Sequence, residues 1–150
     1  MNVYKKQSTM RKVLLLCCLI SLFGCSEKED FKNNKEYPVN YLITNNDLSH
    51  SWDTGGHIFI TEKVNDTDEL GCGGLHVILF IAGYNETFIV NDLACPVEWD
   101  PKIKLSIIDY YTVKCDKCGT EYSAHTGLPI SGQKTVKLKQ YKVTGRKITN

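Results

Sequence analysis

The chain has 150 residues, of which 42% are hydrophobic and 10% aromatic. That is enough for one ordinary globular domain and too little for two large ones. The formal net charge is only +1, which excludes the strongly basic surface that nucleic-acid binding requires.

The N-terminal segment is typical of an export signal. Four basic residues precede an apolar run over residues 13–20, which continues through Leu22 and Phe23. A run of this length is too short to span a bilayer as a mature helix. We therefore predict a signal peptide over residues 1–24.

The apolar run ends in Leu22-Phe-Gly-Cys25, which resembles the lipobox of bacterial lipoproteins. The resemblance implies that Cys25 is acylated, becomes the first residue of the mature protein and makes the lipid bilayer a partner. The alternatives are a plain secretory signal and an uncleaved anchor.

A polar segment follows Cys25 and reads as a tether over residues 25–40. Its acidic start, residues 26–30, resembles the tags that direct lipoproteins of some Gram-negative phyla to the outer membrane. This predicts an outer-membrane lipoprotein, periplasmic or surface-exposed, although a simple solvated linker fits the same residues. Removal of residues 1–24 leaves 14 basic and 17 acidic residues, a net charge of −3, so we predict no nucleic-acid partner.

The remaining residues, 41–150, alternate short β-rich runs with turns rich in Gly, Asn and Asp. We predict strands at 57–62, 75–82, 87–90, 102–108, 110–114 and 136–143. No window of 12 or more residues in this part carries a helical apolar stripe. The pattern therefore predicts an all-β domain, a small antiparallel barrel or sandwich.

Four cysteines remain once the signal peptide and Cys25 are set aside: Cys72, Cys95, Cys115 and Cys118. The Cys115-x-x-Cys118 spacing can hold one metal ion between two thiolates or form a redox-active disulfide.

The order of small motifs from Leu70 to Val143 resembles the cluster-binding part of a Rieske [2Fe–2S] domain. The matching residues are Cys95-Pro-Val97, Cys115-Asp-Lys-Cys118-Gly119, Tyr122, Thr126-Gly127, Gly132-Gln-Lys134 and the run from Leu138 to Val143. The resemblance implies a Rieske-like fold in which two cysteine-bearing loops converge.

Both histidine ligands of a Rieske centre are missing from this pattern. Val97 stands at the first histidine position and Cys118 at the second, while Gly132-Gln133 replaces the usual proline loop. We predict either no cofactor with a disulfide among Cys95, Cys115 and Cys118, or a Zn²⁺ site, or an altered [2Fe–2S] cluster, with Cys72 as a possible fourth ligand. Iron–sulfur clusters are inserted in the cytosol, and this signal is typical of chains that cross the membrane unfolded. Such a chain would arrive without a cluster.

The histidines suggest no catalytic arrangement. We expect His76 on a solvent face of its strand and His125 in a surface turn. His50 and His57 have no Cys, Asp or Ser at a meaningful sequence spacing. The sequence favours a non-enzymatic binding or structural module whose protein partner it does not identify. The alternative is an iron–sulfur or thiol-based electron-transfer protein that uses Cys95, Cys115 and Cys118.

Overall fold

The computed structural model describes residues 36–51, 55–83, 85–132 and 135–150. The predicted signal peptide, the predicted lipidation site Cys25 and most of the predicted tether lie outside these residues. Among the residues described, no helix is long and apolar enough to cross a membrane.

The described chain consists of one short helix and eleven strands. Helix α1 spans Asn45–Ser49 and begins with a capping box, in which Thr44 and Asp47 each accept a hydrogen bond from the other's backbone N–H. The strands are β1 (Val39–Leu42), β2 (His57–Ile60), β3 (Glu69–Leu70), β4 (Leu75–Ala82), β5 (Asn85–Asp92), β6 (Leu105–Ile107), β7 (Thr112–Cys115), β8 (Glu121–Ser123), β9 (Pro129–Ser131), β10 (Lys142–Thr144) and β11 (Lys147–Thr149).

The strands form three antiparallel sheets, with strand orders β10-β11-β1-β3, β2-β4-β5 and β6-β7-β8-β9. The predicted all-β, antiparallel class is confirmed. The barrel alternative is wrong for the described part of the chain, because each sheet of three or four strands keeps two unpaired edges and none closes on itself.

Five of the six predicted strands coincide with β2, β4, β5, β6 and β7, apart from their ends. The sixth, at 136–143, is wrong over most of its length, since only its last two residues enter β10. The physical reason is that this stretch passes between sheets. Leu138 donates its backbone N–H to the Gly127 carbonyl, whereas the Lys139 carbonyl accepts from Asp92 in β5, so no regular ladder forms.

Strand β1 starts at Val39, within the segment predicted as tether, and pairs with the C-terminal strand β11. Its side chains at Val39 and Tyr41 alternate into the core, as expected for a strand with one buried face.

Two apolar clusters form the core. The first lies between the sheet of β1 and the strands β2, β4 and β5, and includes Tyr41, Leu75 and Ile148. The second is built on the sheet of β6 to β9 and includes Val113, Tyr122, Cys95 and Cys115. Two of the predicted site cysteines are therefore parts of a hydrophobic core, so their surroundings are dry and well packed.

Candidate metal centre

Three cysteine sulfurs converge at one end of the sheet formed by β6 to β9. The Sγ atoms of Cys95, Cys115 and Cys118 all lie within 4.8 Å of one another, and those of Cys95 and Cys118 are 3.7 Å apart. All three are free thiols. We call these residues the thiol triad.

Cys95 is held by the loop that follows β5. Its backbone N–H donates to the Ile103 carbonyl at 3.0 Å, and its own carbonyl accepts from Trp99 at 2.8 Å. Trp99 has a left-handed φ of 45°, which a non-glycine residue adopts only when its surroundings impose it. The loop therefore folds back on itself directly after Cys95.

The carboxylate of Asp92 holds this loop in place through hydrogen bonds. Asp92 is fully buried and accepts hydrogen bonds from the backbone N–H groups of Cys72, Gly73 and Ala94 at 2.7 to 2.9 Å, and from the Tyr141 hydroxyl at 2.6 Å. Four donors satisfy a buried charge that would otherwise be costly. Because Ala94 precedes Cys95, Asp92 also sets the position of the first thiol.

Cys115 ends β7, and Cys118 lies in the turn that leads to β8. Gly119 donates to the Cys115 carbonyl at 2.8 Å, and Cys115 donates to the Thr120 carbonyl at 3.0 Å. Gly119 has a φ of 72°, in the region that favours glycine. This tight turn brings both sulfurs to the same side of the hairpin.

Two buried hydroxyls, those of Thr120 and Tyr122, adjoin the triad. Both residues are 0% exposed, Thr120 beside Cys118 and Tyr122 beside Cys95. Neither hydroxyl makes a hydrogen bond within the described part of the chain. A buried hydroxyl without a partner costs about 1–3 kcal/mol. Both can donate to a negatively charged sulfur, so they suit thiolates better than thiols.

The three thiols differ in their environments. Burial raises the pKa of Cys95 to about 12. The backbone N–H groups of Glu98 and Val97 favour its thiolate and partly oppose this effect. Burial also opposes ionisation of Cys118, but the polar groups of Thr120 and the neighbouring thiols bring its pKa below the ordinary value. Cys118 is therefore ionised before Cys95.

An ion pair joins the two cysteine-bearing loops. The Lys117 ammonium lies 2.7 Å from the Glu98 carboxylate. The hydrogen bond to Glu98, together with the negative charge of its carboxylate, raises the pKa of Lys117. Lys117 stands between the cysteines of one loop, and Glu98 follows Cys95 in the other.

The two remaining predicted site residues add no ligand to the triad. Val97 is half-buried and packs against the second apolar cluster; its side chain has no atom that binds metal. Cys72 is buried in the turn that donates to Asp92 and is not part of the triad. Among the described residues, no fourth Cys, His, Asp or Glu joins the three sulfurs.

The triad geometry suits one metal ion. Two thiolates bound at about 2.3 Å to a tetrahedral ion lie about 3.8 Å apart, close to the observed 3.7 Å. A [2Fe–2S] centre requires four ligands, two on each iron. Three sulfurs gathered around one point, with no fourth Cys, His, Asp or Glu beside them among the described residues, do not fit that cluster.

The structure corrects the expectation for His76. Its side chain is 1% exposed, and its Nε2 lies 2.7 Å from Nδ1 of His57. The reason is that β4 is the central strand of its sheet and is covered on both faces, so even its polar position is buried. His125 is in a turn, as predicted, but is half-buried beside Tyr110 and Phe80.

Sequence reasoning missed three parts of this centre. The hydroxyls of Thr120 and Tyr122 sit two and four residues after Cys118, a local spacing that could have placed them near it. No sequence signal identifies Asp92, because three of its four donors, Cys72, Gly73 and Tyr141, lie 19 to 49 residues away in the chain.

Comparison with family models, curated proteins and solved structures finds no match to this chain.

Proposed function

We propose that this protein is a membrane-anchored lipoprotein whose Rieske-like β domain binds one thiophilic metal ion, Zn²⁺ in the first instance, through the thiol triad. The observation that carries the proposal is the convergence of three ligand sulfurs within 4.8 Å. In this proposal the domain is a binding module, and no [2Fe–2S] cluster is involved.

The chemistry of the site supports this proposal. Thiolates are preferred ligands of Zn²⁺ and other thiophilic ions. The unpartnered hydroxyls of Thr120 and Tyr122 are donors that metal-bound thiolates would use, an arrangement typical of the outer shell of metal sites. Binding would also offset the cost of burying these polar groups without partners.

The metal proposal is tested with the full-length protein, exported by its own signal and purified in detergent. After reduction, a competition titration with a chromogenic chelator should detect one Zn²⁺ per chain. Cys118→Ser should weaken binding by at least about 100-fold. Cys72→Ser changes a cysteine outside the triad and should leave the affinity unchanged. Failure of the reduced protein to bind Zn²⁺, or full binding by Cys118→Ser, would overturn the proposal.

The anchor is tested separately at Cys25, which lies outside the described residues. Acyl chains contribute about 0.8 kcal/mol for each buried CH₂ group, so two or three chains hold a protein durably on a bilayer. Cys25→Ser should leave an unprocessed or soluble protein in place of one that fractionates with the outer membrane. Unchanged processing and fractionation would contradict the lipoprotein assignment.

A second candidate function is thiol-based redox chemistry. It is favoured by the lowered pKa of Cys118 and by the short distance from its sulfur to that of Cys95. Oxidation would form one S–S bond and pass two electrons to an acceptor, with release of two protons. Mass spectrometry without reductant would then detect a cross-link between the loops, and oxidised protein would no longer bind Zn²⁺.

A further inference from the structure

We infer that the metal held by the thiol triad has its fourth coordination position open to solvent, and that this position takes a thiolate from outside the chain. The inference rests on the proposed metal function. It adds a class of ligand, an external thiol, and a way in which that thiol reaches the protein.

The number of ligands that the triad provides indicates an open coordination position. Structural zinc sites use four protein ligands, whereas sites with three keep a position for water or an exogenous group. The described residues provide three sulfurs and no fourth Cys, His, Asp or Glu at the triad. Cys72, the candidate fourth ligand, has its backbone tied to Asp92.

The three cysteines of the triad differ in burial. Cys95 and Cys115 are 0% exposed, whereas Cys118 is only partly buried. The hydroxyls of Thr120 and Tyr122 line the buried side. An incoming ligand therefore approaches past Cys118.

The charge and the donor type of the triad indicate the chemical class of the incoming ligand. The three negative charges of the thiolates exceed the charge of a divalent ion by one. The ion is therefore a weak Lewis acid that lowers the pKa of a bound water molecule little and generates hydroxide poorly. A site already dominated by sulfur selects thiophilic ions and sulfur ligands.

The exchange is balanced without any redox change. The metal–oxygen bond to a water molecule breaks, a metal–sulfur bond forms, and the proton of the incoming thiol passes to solvent. The oxidation state of the metal stays +2 throughout.

The experiment uses the full chain with Co²⁺ as a spectroscopic probe. Co²⁺ bound to the triad should show sulfur-to-cobalt charge-transfer bands, and 2-mercaptoethanol should raise their intensity by roughly one third, because four Co–S bonds replace three. By reciprocity, saturating thiol should tighten Co²⁺ binding by about 5-fold or more. Cys72→Ser is the matched control and should respond like the wild-type chain.

A second arm distinguishes the two sources of an external thiol. A reduced, unstructured peptide with a single cysteine replaces 2-mercaptoethanol. A response to the small thiol alone would identify a free thiol as the ligand, and an equal or stronger response to the peptide would identify a cysteine of a partner protein.

Different results would contradict the metal function and the open coordination position. If Co²⁺ binds but neither thiol changes the spectrum or the affinity, a group of the chain completes the site and this inference is overturned, while the proposed metal function stands. If reduced protein does not bind Co²⁺ or Zn²⁺ at all, the proposed function itself is wrong.

Discussion

The ammonium of Lys117 lies 2.7 Å from the carboxylate of Glu98, and this ion pair connects the two loops that carry the thiol triad. Neither loop is otherwise tied to the other by an ion pair among the described residues. An exposed pair adds little to stability because water screens it. We therefore expect the pair to affect the spacing of the two loops, and with it metal binding, more than the stability of the domain.

Glu98→Gln should weaken Zn²⁺ binding several-fold while leaving the urea midpoint of unfolding nearly unchanged. The matched control is Glu69→Gln, which breaks the exposed ion pair of Glu69 with Lys63 in another sheet. Chelator competition and urea unfolding measure the two effects. Equal affinity in both variants would show that the pair does not position the loops.

Asp92→Asn should destabilise the domain strongly. The NH₂ group of the amide cannot accept the hydrogen bonds that a carboxylate oxygen accepts. At least one buried donor therefore loses its partner. Hydrogen bonds to charged groups contribute about 1.5–3 kcal/mol each, and we expect a loss of about 3 kcal/mol in the free energy of unfolding. Tyr141→Phe, which removes one donor, should cost about 1–2 kcal/mol.

Urea unfolding measures both changes, and Asp66→Asn at an exposed position is the control. If Asp92→Asn leaves the free energy of unfolding nearly unchanged, the hydrogen bonds to the turn and to Ala94 do not determine the position of the loop.

Tyr122→Phe should separate stability from metal binding. Removing a buried hydroxyl without a partner should leave the metal-free protein as stable or more stable by about 1 kcal/mol. The loss of an outer-shell donor should weaken Zn²⁺ binding about 10-fold or more. Calorimetry with and without Zn²⁺ measures both; a variant that is less stable without metal yet binds Zn²⁺ normally would contradict this role.

The paired histidines predict a dependence of stability on pH. Burial, followed by the neighbouring His57 and His125, lowers the pKa of His76 to about 3, and burial lowers those of His57 and His125. Below about pH 6.5 the unfolded chain takes up protons at these residues and the folded chain does not. Stability should therefore be full above pH 6.5 and fall as the pH decreases toward 3, by an amount on the order of 4 kcal/mol for His76 alone.

His76→Gln keeps an acceptor near His57 and should show a smaller loss of stability between pH 7 and pH 4. His50→Gln, at an exposed position beyond α1, should retain the wild-type profile. Urea unfolding at each pH provides the measurement. Parallel profiles for wild type and His76→Gln would remove the histidine pair as the cause.

Local patterns predicted much of this fold. Alternation and apolar runs located β4 and β5 because these strands are long and bounded by turns, and the Cys115-x-x-Cys118 spacing is local enough to place two sulfurs together. The tertiary relationships were harder. His57 and His76 meet because β2 and β4 pair with Phe59 opposite His76, a register that depends on the whole sheet.

The residues from 136 to 141 illustrate the same limit. Val136 and Leu138 alternate with exposed Lys137 as in a strand. The backbone of Leu138, however, bonds to the turn at Gly127, whereas Lys139 and Tyr141 bond to β5, so the stretch has no single neighbouring strand. Periodicity reports which side chains are buried, and it does not report where the hydrogen bonds go.

The antiparallel pairing of β1 with β11 has a mechanical consequence. Asn40 lies opposite Thr149, so the point where the chain enters the domain adjoins the point where the last strand ends. A pull applied across these two points would separate the strands from one end, one hydrogen-bonded pair after another, instead of loading all pairs together. The domain should yield to a small force in that direction and resist a larger one applied across its other strands, a contrast that single-molecule stretching can measure.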